Sequence, residues 1–285
     1  MSARLAAKRP VGQDGTESGS EALAMRVVRL GGGPARAVAV LGLIGTALLA
    51  AACTVVTGGA AQAPPRLEPK PLIGEAVTRV LVDDQTLSRI LNQPFVIDSR
   101  LPARFGGPEA LQRMGQPAPD ECLGVAEMLH HSVYGASNVN DVAVEAWRHA
   151  ARPVQLTSIK EGVVSLGSAA EARALFSRFA QQWQSCDGHT VSLPDTVFRL
   201  KAEITNVQVA PSVLAGTVWI GFERGRAEPT SIPAGRAIGV RGNCLVEVEA
   251  DFFNASVRTL DGSSVTNATA FDIAHLMMDR VSALS

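Results

Sequence analysis

The feature that most limits the fold of this chain is an apolar run at residues 38–52, which ends directly before Cys53. Three arginines precede the run and three alanines close it, which is the pattern of a secretory signal peptide. The run is slightly shorter than the roughly 20 apolar residues that a membrane-spanning helix needs. We therefore assign residues 25–52 to a signal peptide and expect the chain after it to be exported.

The end of this run resembles the lipobox of bacterial lipoproteins, which makes Cys53 the expected lipidated first residue of the mature chain. Ala50 stands where that motif prefers leucine, and an uncleaved transmembrane anchor is the alternative interpretation. Residues 1–24 are polar and unlike the start of a signal peptide, so Met25 is the more economical start and the preceding residues are treated as a leader. The expected location is the outer face of the plasma membrane, held there by lipid.

Residues 53–72 contain glycine and proline pairs without apolar periodicity, which predicts a flexible tether with a mean reach of roughly 25 Å. Residues 73–285 are long enough to form one domain, or at most two, with a substantial core. The net charge is −1, and no concentrated basic face is visible. This balance argues against nucleic acid as a partner.

Hydrophobic periodicity in residues 73–285 predicts an α+β fold, in which an antiparallel β-sheet packs with a few α-helices. Ser168 and Glu171 match a capping box at the start of one helix. The predicted helices cover residues 83–92, 121–131, 168–185 and 264–284, and the predicted strands cover residues 142–150, 154–166, 197–209, 213–223 and 237–253.

The cysteines add a covalent constraint, because thiol pairs tend to be oxidised in an exported protein. Cys122 and Cys186 both fall on the apolar faces of predicted helices, so we predict a disulfide between them. Cys244 alternates with apolar residues along a predicted strand, which is typical of a buried and unreactive thiol. The fold is therefore expected to be stabilised by one disulfide.

A search for catalytic and metal-binding patterns finds little. The sequence has no His-Glu-x-x-His, Gly-x-Ser-x-Gly or phosphate-binding glycine loop. His130 and His131 are adjacent and would diverge by about 100° on a helix, so they do not suit one metal ion. We predict no catalytic residue, no metal and no cofactor, with a hydrolase of unrecognised site as an alternative.

Three residues are candidates for lining a ligand cleft. Tyr134 lies in a loop rich in small polar residues, Trp219 alternates with apolar neighbours on a strand, and Asp251 precedes two phenylalanines. Packing in the core is the alternative for both aromatic residues. Glu247 and Glu249 alternate with apolar residues, which favours a solvated face of the sheet for them.

The order and spacing of several segments between about residues 87 and 278 resemble the PknH-like extracellular sensor domain family of mycobacteria. The segments that carry the resemblance are Glu121-Cys122, Val133-Tyr134-Gly-Ala-Ser137, the Trp147 strand, Val163-Val164 before Ser168-Ala-Ala-Glu-Ala172, Trp183-Gln-Ser-Cys186 and Arg241-Gly-Asn243. The resemblance implies an α+β fold with a disulfide-stabilised core and a broad cleft for an unidentified extracellular ligand. It also implies that a free-standing lipoprotein is an ordinary member, although this chain has too few cysteines for a second disulfide once Cys53 is lipidated.

The sequence thus predicts a non-catalytic, lipid-anchored, extracytoplasmic module that binds a small molecule, a lipid or another envelope ligand. A carrier or chaperone for an envelope lipid or glycolipid is the main alternative. An apolar cavity large enough for acyl chains would favour the carrier, whereas a shallow polar cleft would favour the sensor.

Overall fold

A computed structural model of the protein describes residues 69–112, 121–150, 156–193, 200–222, 231–253 and 263–285. The predicted leader, the signal peptide, Cys53 and most of the predicted tether lie outside these ranges. Leu72, which the sequence placed at the end of the tether, belongs to the fold, because its side chain is buried. Its backbone N–H donates to Asn243 Oδ1 at 2.8 Å, and its carbonyl accepts from Asn243 Nδ2 at 2.9 Å.

The centre of the fold is an antiparallel sheet of nine strands within the described residues, in the order β1-β3-β4-β9-β8-β7-β6-β5, with β2 also paired to β3. The strands are β1 Phe95–Ile97, β2 Arg104–Gly106, β3 Val139–His149, β4 Leu156–Leu166, β5 Thr190–Leu193, β6 Leu200–Val209, β7 Val213–Phe222, β8 Ser231–Arg241 and β9 Cys244–Phe252.

Helices cover both faces of this sheet. The α-helices are α1 Asp84–Leu91, α2 Leu123–Ala126, α3 His131–Tyr134, α4 Ala169–Cys186 and α5 Ser263–Leu284, with 3-10 helices at Gly74–Val80 and Pro108–Ala110. The core under α5 includes the even-numbered residues of β9, from Cys244 to Phe252. The core under α4 and α2 includes Trp183 and Leu245, on the opposite face. The predicted α+β fold with an antiparallel sheet is therefore confirmed.

The predicted disulfide is also present. Cys122 and Cys186 are joined, with their Cα atoms 5.6 Å apart, so that the start of α2 is tied to the last residue of α4. Cys244 is a buried free thiol, as expected from its position in the strand. No helix in the described part of the chain combines the length and the apolar character that crossing a membrane requires.

Two predicted elements are wrong in their boundaries. Residues 121–131 do not form one helix: α2 ends at Ala126 and α3 begins at His131, because the backbone is extended at Glu127 and left-handed at Leu129, with φ of 55°. Residues 237–253 form the end of β8 and all of β9, joined by a tight turn in which Gly242 has φ of 55°. The short strands β1, β2 and β5 were not predicted.

The core and the disulfide all lie within the compact unit Ala63–Ser285. A unit that contains its own hydrophobic core can fold alone. Residues 63–285 are therefore suitable for experiments on the isolated domain.

Candidate ligand cleft

A cleft of about 280 Å³ lies on the α4 face of the sheet, beside strands β2, β3 and β4. The connection between β1 and β2 forms one wall, and the loop between α2 and α3 forms another. Its lining is apolar except for two cationic side chains and one amide. The lining residues are Leu101, Pro102, Arg104, Gln112, Met128, Val144, Ala146 and Lys160.

Strand register brings the floor of this cleft together. Ala146 pairs with Lys160 across β3 and β4, and Arg104 pairs with Val144 across β2 and β3. Side chains of alternate residues in a strand share a face, so Val144 and Ala146 lie side by side on the cleft face. Lys160 and Arg104 could not be recognised from the sequence, since neither residue belongs to a known motif.

The loop between α2 and α3 is held tightly against the sheet. Leu129 has positive φ, which is uncommon for a bulky residue and must be stabilised by the surroundings. Its N–H donates to Glu247 Oε1 at 3.2 Å, and its carbonyl accepts from the N–H of Gln112 at 2.9 Å. Its side chain lies over Gly162, where the missing side chain leaves room for it. This arrangement places Met128 in the cleft wall.

A buried charge cluster lies under the cleft. Lys160 Nζ forms an ion pair with Glu249, and Arg236 bonds to Glu247 Oε2 at 2.9 Å and lies 3.8 Å from Glu249 Oε2. Arg236 also donates to the carbonyl of Val125 at 3.0 Å, which ties α2 to the sheet. The prediction that Glu247 and Glu249 face solvent is wrong, because helices and loops cover this face of the sheet.

Tyr134 does not line the cleft, which corrects its assignment as a cleft residue. Its ring is buried at 1% exposure and packs against Phe179, and its hydroxyl donates to Glu247. Burial and the negative charge of Glu247 raise the pKa of Tyr134 well above its usual range. The residue therefore supports the underside of the charge cluster.

Trp219 cannot share a cleft with Tyr134, because the two lie on opposite faces of the sheet. Thr217, two residues earlier in β7, bonds to Asn267 of α5 at 2.7 Å, and alternation places Trp219 on that same face. Trp219 is 6% exposed, and its indole N–H donates to Thr205 at 3.1 Å. The packing alternative is therefore the correct description of both aromatic residues.

Asp251 lies on the cleft face, near a second cleft of about 500 Å³. Ser158 lines this second cleft, and its hydroxyl donates to Asp251. The remaining lining residues are Asp98, Ser99, Arg100, Arg148, His149 and Thr157. Asp98 is nearly buried, and hydrogen bonds from Arg100 lower its pKa to about 2. The two clefts are neighbours, since Lys160 and Ser158 are successive residues on one face of β4.

The charge states of the groups in this cluster depend on Lys160. The negative charge of Glu249 raises the pKa of Lys160, so Lys160 is cationic at neutral pH. Burial alone would raise the pKa of Glu249, but Lys160 and Arg236 lower it below its usual range. Burial and the nearby Glu249 raise the pKa of both Asp251 and Glu127. The cluster therefore contains two cations and at least one firmly ionised carboxylate.

Serine, histidine and aspartate side chains meet at the second cleft, since Ser158, His149 and Asp98 all line it. The Ser158 hydroxyl donates to the Asp251 carboxylate, so its proton is directed at an aspartate and not at an imidazole. Burial raises the pKa of the Cys244 thiol to about 12, which makes it a poor nucleophile. No group of three or more metal-ligating side chains occurs in the part of the chain that the structure describes.

Residues 72–280 match the family described as PknH-like extracellular domain. The chain belongs to this family. The match starts at the residue where the fold starts and ends within α5, so it covers the sheet, the disulfide and both clefts. The resemblance noted in the sequence is therefore confirmed, and the domain is of a sensor-type extracellular family. A comparison with curated proteins finds no matching relative.

One solved structure supports the fold. The crystal structure of the extracellular domain of PknH from Mycobacterium tuberculosis has 17% sequence identity and a TM-score of 0.53, with 75% of this chain and 99% of that chain covered. A hypothetical protein from Helicobacter pylori, jhp0584, has 14% identity and a TM-score of 0.23, with 45% of this chain and 86% of that chain covered. The first likeness supports the fold alone, and the second is too low to support an argument.

Proposed function

We propose that this protein is an exported lipoprotein, anchored through Cys53 to the outer face of the plasma membrane, whose PknH-like domain binds an envelope ligand without catalysing a reaction. The family match supports an extracellular sensor-type domain. The lipobox-like end of the apolar run supports the anchor. Ligand binding is the part of the proposal that rests on the geometry of the cleft.

The observation that carries this proposal is the composition of the first cleft. Its walls are apolar at Leu101, Pro102 and Met128, whereas Lys160 presents a charged group at the floor. Ligand sites in proteins typically combine an apolar lining with a few convergent polar groups. The volume of about 280 Å³ is close to the lower end of such sites, about 300–1,000 Å³, which fits a small ligand or one end of a larger one.

A lipid carrier is a second candidate, because the first cleft has more apolar than polar lining. The second cleft is lined mainly by charged and polar side chains, which does not suit acyl chains. Neither of these two clefts resembles the extended apolar cavity that a carrier of whole lipids would use. The geometry of the described residues therefore favours the sensor.

The anchor can be tested with the full chain in a bacterial host that processes lipoproteins. We expect metabolic labelling with a radioactive fatty acid to mark the wild-type chain and to fail for Cys53→Ser. The Cys244→Ser variant is the matched control, because it also removes one cysteine and should retain the label. Equal labelling of the wild type and Cys53→Ser would contradict the anchor.

Ligand binding can be tested with residues 63–285, purified under oxidising conditions and incubated with an envelope extract. Native mass spectrometry should detect an adduct on the wild type. Ala146→Leu should lose this adduct because the added side chain occupies the cleft floor, whereas Ser192→Leu on the exposed edge of β5 should retain it. An adduct that survives Ala146→Leu would move the ligand away from this cleft.

A further inference from the structure

We propose that the first cleft binds an amphipathic anion, with a phosphate or carboxylate group at Lys160 and Arg104 and a short apolar segment against Leu101, Met128 and Val144. This inference rests on the proposed function, since it assigns a ligand class to the same cleft. It commits to an anion with an attached apolar segment, as distinct from a free inorganic ion or an uncharged amphiphile.

The charge expected on the ligand follows from the Lys160–Glu249 ion pair at the cleft floor, because its two side chains differ in exposure. The side chain of Lys160 is 27% exposed, whereas that of its partner Glu249 is 6% exposed. A ligand in the cleft can therefore reach the ammonium group but not the carboxylate behind it. The site presents a positive charge whose partner, Glu249, is buried beneath it.

Arg104 adds a second positive charge at the same site. Its side chain is exposed, it lines the cleft, and it forms no ion pair within the described ranges. Guanidinium and ammonium groups together are suited to the oxygens of a phosphate or a carboxylate. Gln112, the remaining polar lining residue, can donate a further hydrogen bond through its amide.

The apolar walls explain why the ligand should be more than a small ion. Leu101 is 44% exposed at the rim of the cleft, and Met128 and Val144 form the wall and floor beneath it. Leu101 carries most of the exposed apolar surface, since Met128 is 2% and Val144 is 8% exposed, and an inorganic anion would leave that surface in contact with water. An apolar segment would cover it and gain the free energy of its burial.

An NMR titration of residues 63–285 can separate these ligand classes. The three probes are octyl phosphate below its micelle-forming concentration, inorganic phosphate, and octyl glucoside as the uncharged amphiphile of equal chain length. We expect octyl phosphate to shift the backbone amides of Met128, Val144 and Ala146. We expect its affinity to exceed that of either other probe by about tenfold or more, since each lacks one of the two kinds of contact.

Three variants test the residues. Lys160→Gln should weaken octyl phosphate binding by about tenfold or more, because it removes a charge-assisted contact. Arg104→Gln should weaken it several-fold, and its exposed position keeps this variant informative if Lys160→Gln fails to fold. Arg148→Gln is the matched control in the neighbouring cleft and should leave the affinity unchanged.

The outcomes distinguish this inference from the proposed function. Octyl glucoside shifting the same amides as tightly as octyl phosphate would overturn the anionic class while retaining a ligand cleft. Inorganic phosphate binding as tightly as octyl phosphate would overturn the amphipathic class. The absence of binding by octyl phosphate would overturn the inference by itself, and only the further loss of any envelope adduct would overturn the proposed function.

Discussion

The side chain of Leu129 lies directly over the Cα of Gly162, so that a Cβ atom added at Gly162 would come within 2.4 Å of Leu129 Cδ1. This close approach fixes the height of the α2–α3 loop above the sheet. The loop in turn places Met128 in the wall of the first cleft and brings the N–H of Leu129 to Glu247. A glycine inside β4 thus positions a cleft residue through Leu129.

Gly162→Ala should destabilise the domain by about 1–3 kcal/mol, because the added methyl group forces Leu129 out of a strained but well-packed position. Equilibrium unfolding in urea will measure the change. Gly216→Ala in β7 is the matched control, because its added Cβ would meet the nearest atom at 3.4 Å, an ordinary contact. Equal losses for the two variants would contradict the proposed role of the close approach.

Removing the disulfide should lower stability strongly. The bridge closes a loop with a sequence separation of 64 residues, for which the chain-entropy model gives about 4 kcal/mol. The double variant Cys122→Ala/Cys186→Ala should therefore unfold at much lower denaturant concentration than the wild type, and Cys244→Ala should lose less. A reducing agent should abolish the difference between the wild type and the double variant. A difference that persists under full reduction would show that the loss comes from packing instead.

Tyr134→Phe should cost about 1–3 kcal/mol, because it removes the hydroxyl that donates to the buried Glu247 carboxylate. Urea unfolding of Tyr134→Phe, Glu247→Gln and the double variant will give the coupling energy of the pair. Octyl phosphate affinity should stay unchanged in Tyr134→Phe, since the ring lies below the cleft. Weaker binding without a loss of stability would return Tyr134 to the cleft lining.

Much of the fold was predictable because its apolar patterns are regular. The stripe of α4 from Ala172 to Cys186 is buried as the helical period requires, and Ser168 accepts the N–H of Glu171 at 3.2 Å, as the capping box predicts. Cys244 and its alternate neighbours face α5, as the strand period requires. These features depend on local spacing, which a sequence displays directly.

The candidate site was less predictable, because its residues come together through a covered sheet face and an irregular loop. The alternating pattern of β9 correctly placed Glu247 and Glu249 on the opposite face from their apolar neighbours. It could not show that this second face of the strand is buried too. Two signals were present in the sequence. Arg236 lies in the middle of β8 among alanine, glycine and isoleucine, which indicates a buried partner. Gly162 interrupts β4, which indicates a close approach.

Glu161 should make stability fall as the pH rises. It is fully buried on the α5 face, where it accepts the N–H of Val82 at 2.6 Å, and burial raises its pKa from 4.5 to about 8. The folded state therefore binds a proton that the unfolded state releases above about pH 4.5. The contribution of protonated Glu161 to stability is fully present below about pH 4.5 and is lost as the pH rises through about 8.

The variant Glu161→Gln isolates this contribution, because glutamine can still accept the N–H of Val82 but does not titrate. The difference in unfolding free energy between variant and wild type should change by up to about 1.4 kcal/mol per pH unit between pH 5 and 8, in favour of the variant. Urea unfolding at four pH values in this window will measure it. Glu145→Gln, on the neighbouring strand and only partly buried, should change the pH dependence much less. A constant difference for Glu161→Gln across the window would contradict the buried-acid interpretation.

Binding of an anion at Lys160 should become tighter as the pH falls. The bound anion places a negative charge near Glu249 and Asp251, whose pKa values already depend on each other and on Lys160. The added charge raises the pKa of Asp251 further, whereas Lys160 and Arg236 hold the pKa of Glu249 below its usual range, so that binding is accompanied by proton uptake at Asp251. Arg236 of β8 limits the size of this shift, because its positive charge lowers the pKa of Asp251. Glu127 of the α2–α3 loop faces the same two cations, Lys160 and Arg236.

Octyl sulfate is the appropriate probe, because its charge does not change between pH 5 and 8. Its association constant should rise by up to about tenfold for each unit of pH decrease, the limit for uptake of one proton. Asp251→Asn should flatten this dependence, since asparagine can still accept the Ser158 hydroxyl but cannot take up a proton. Asp98→Asn in the second cleft is the control and should not flatten it, because the pKa of Asp98, at about 2, keeps that carboxylate ionised throughout the range. An affinity for octyl sulfate that is constant over this range in the wild type would show that Lys160 is reached without any change in the carboxylates behind it.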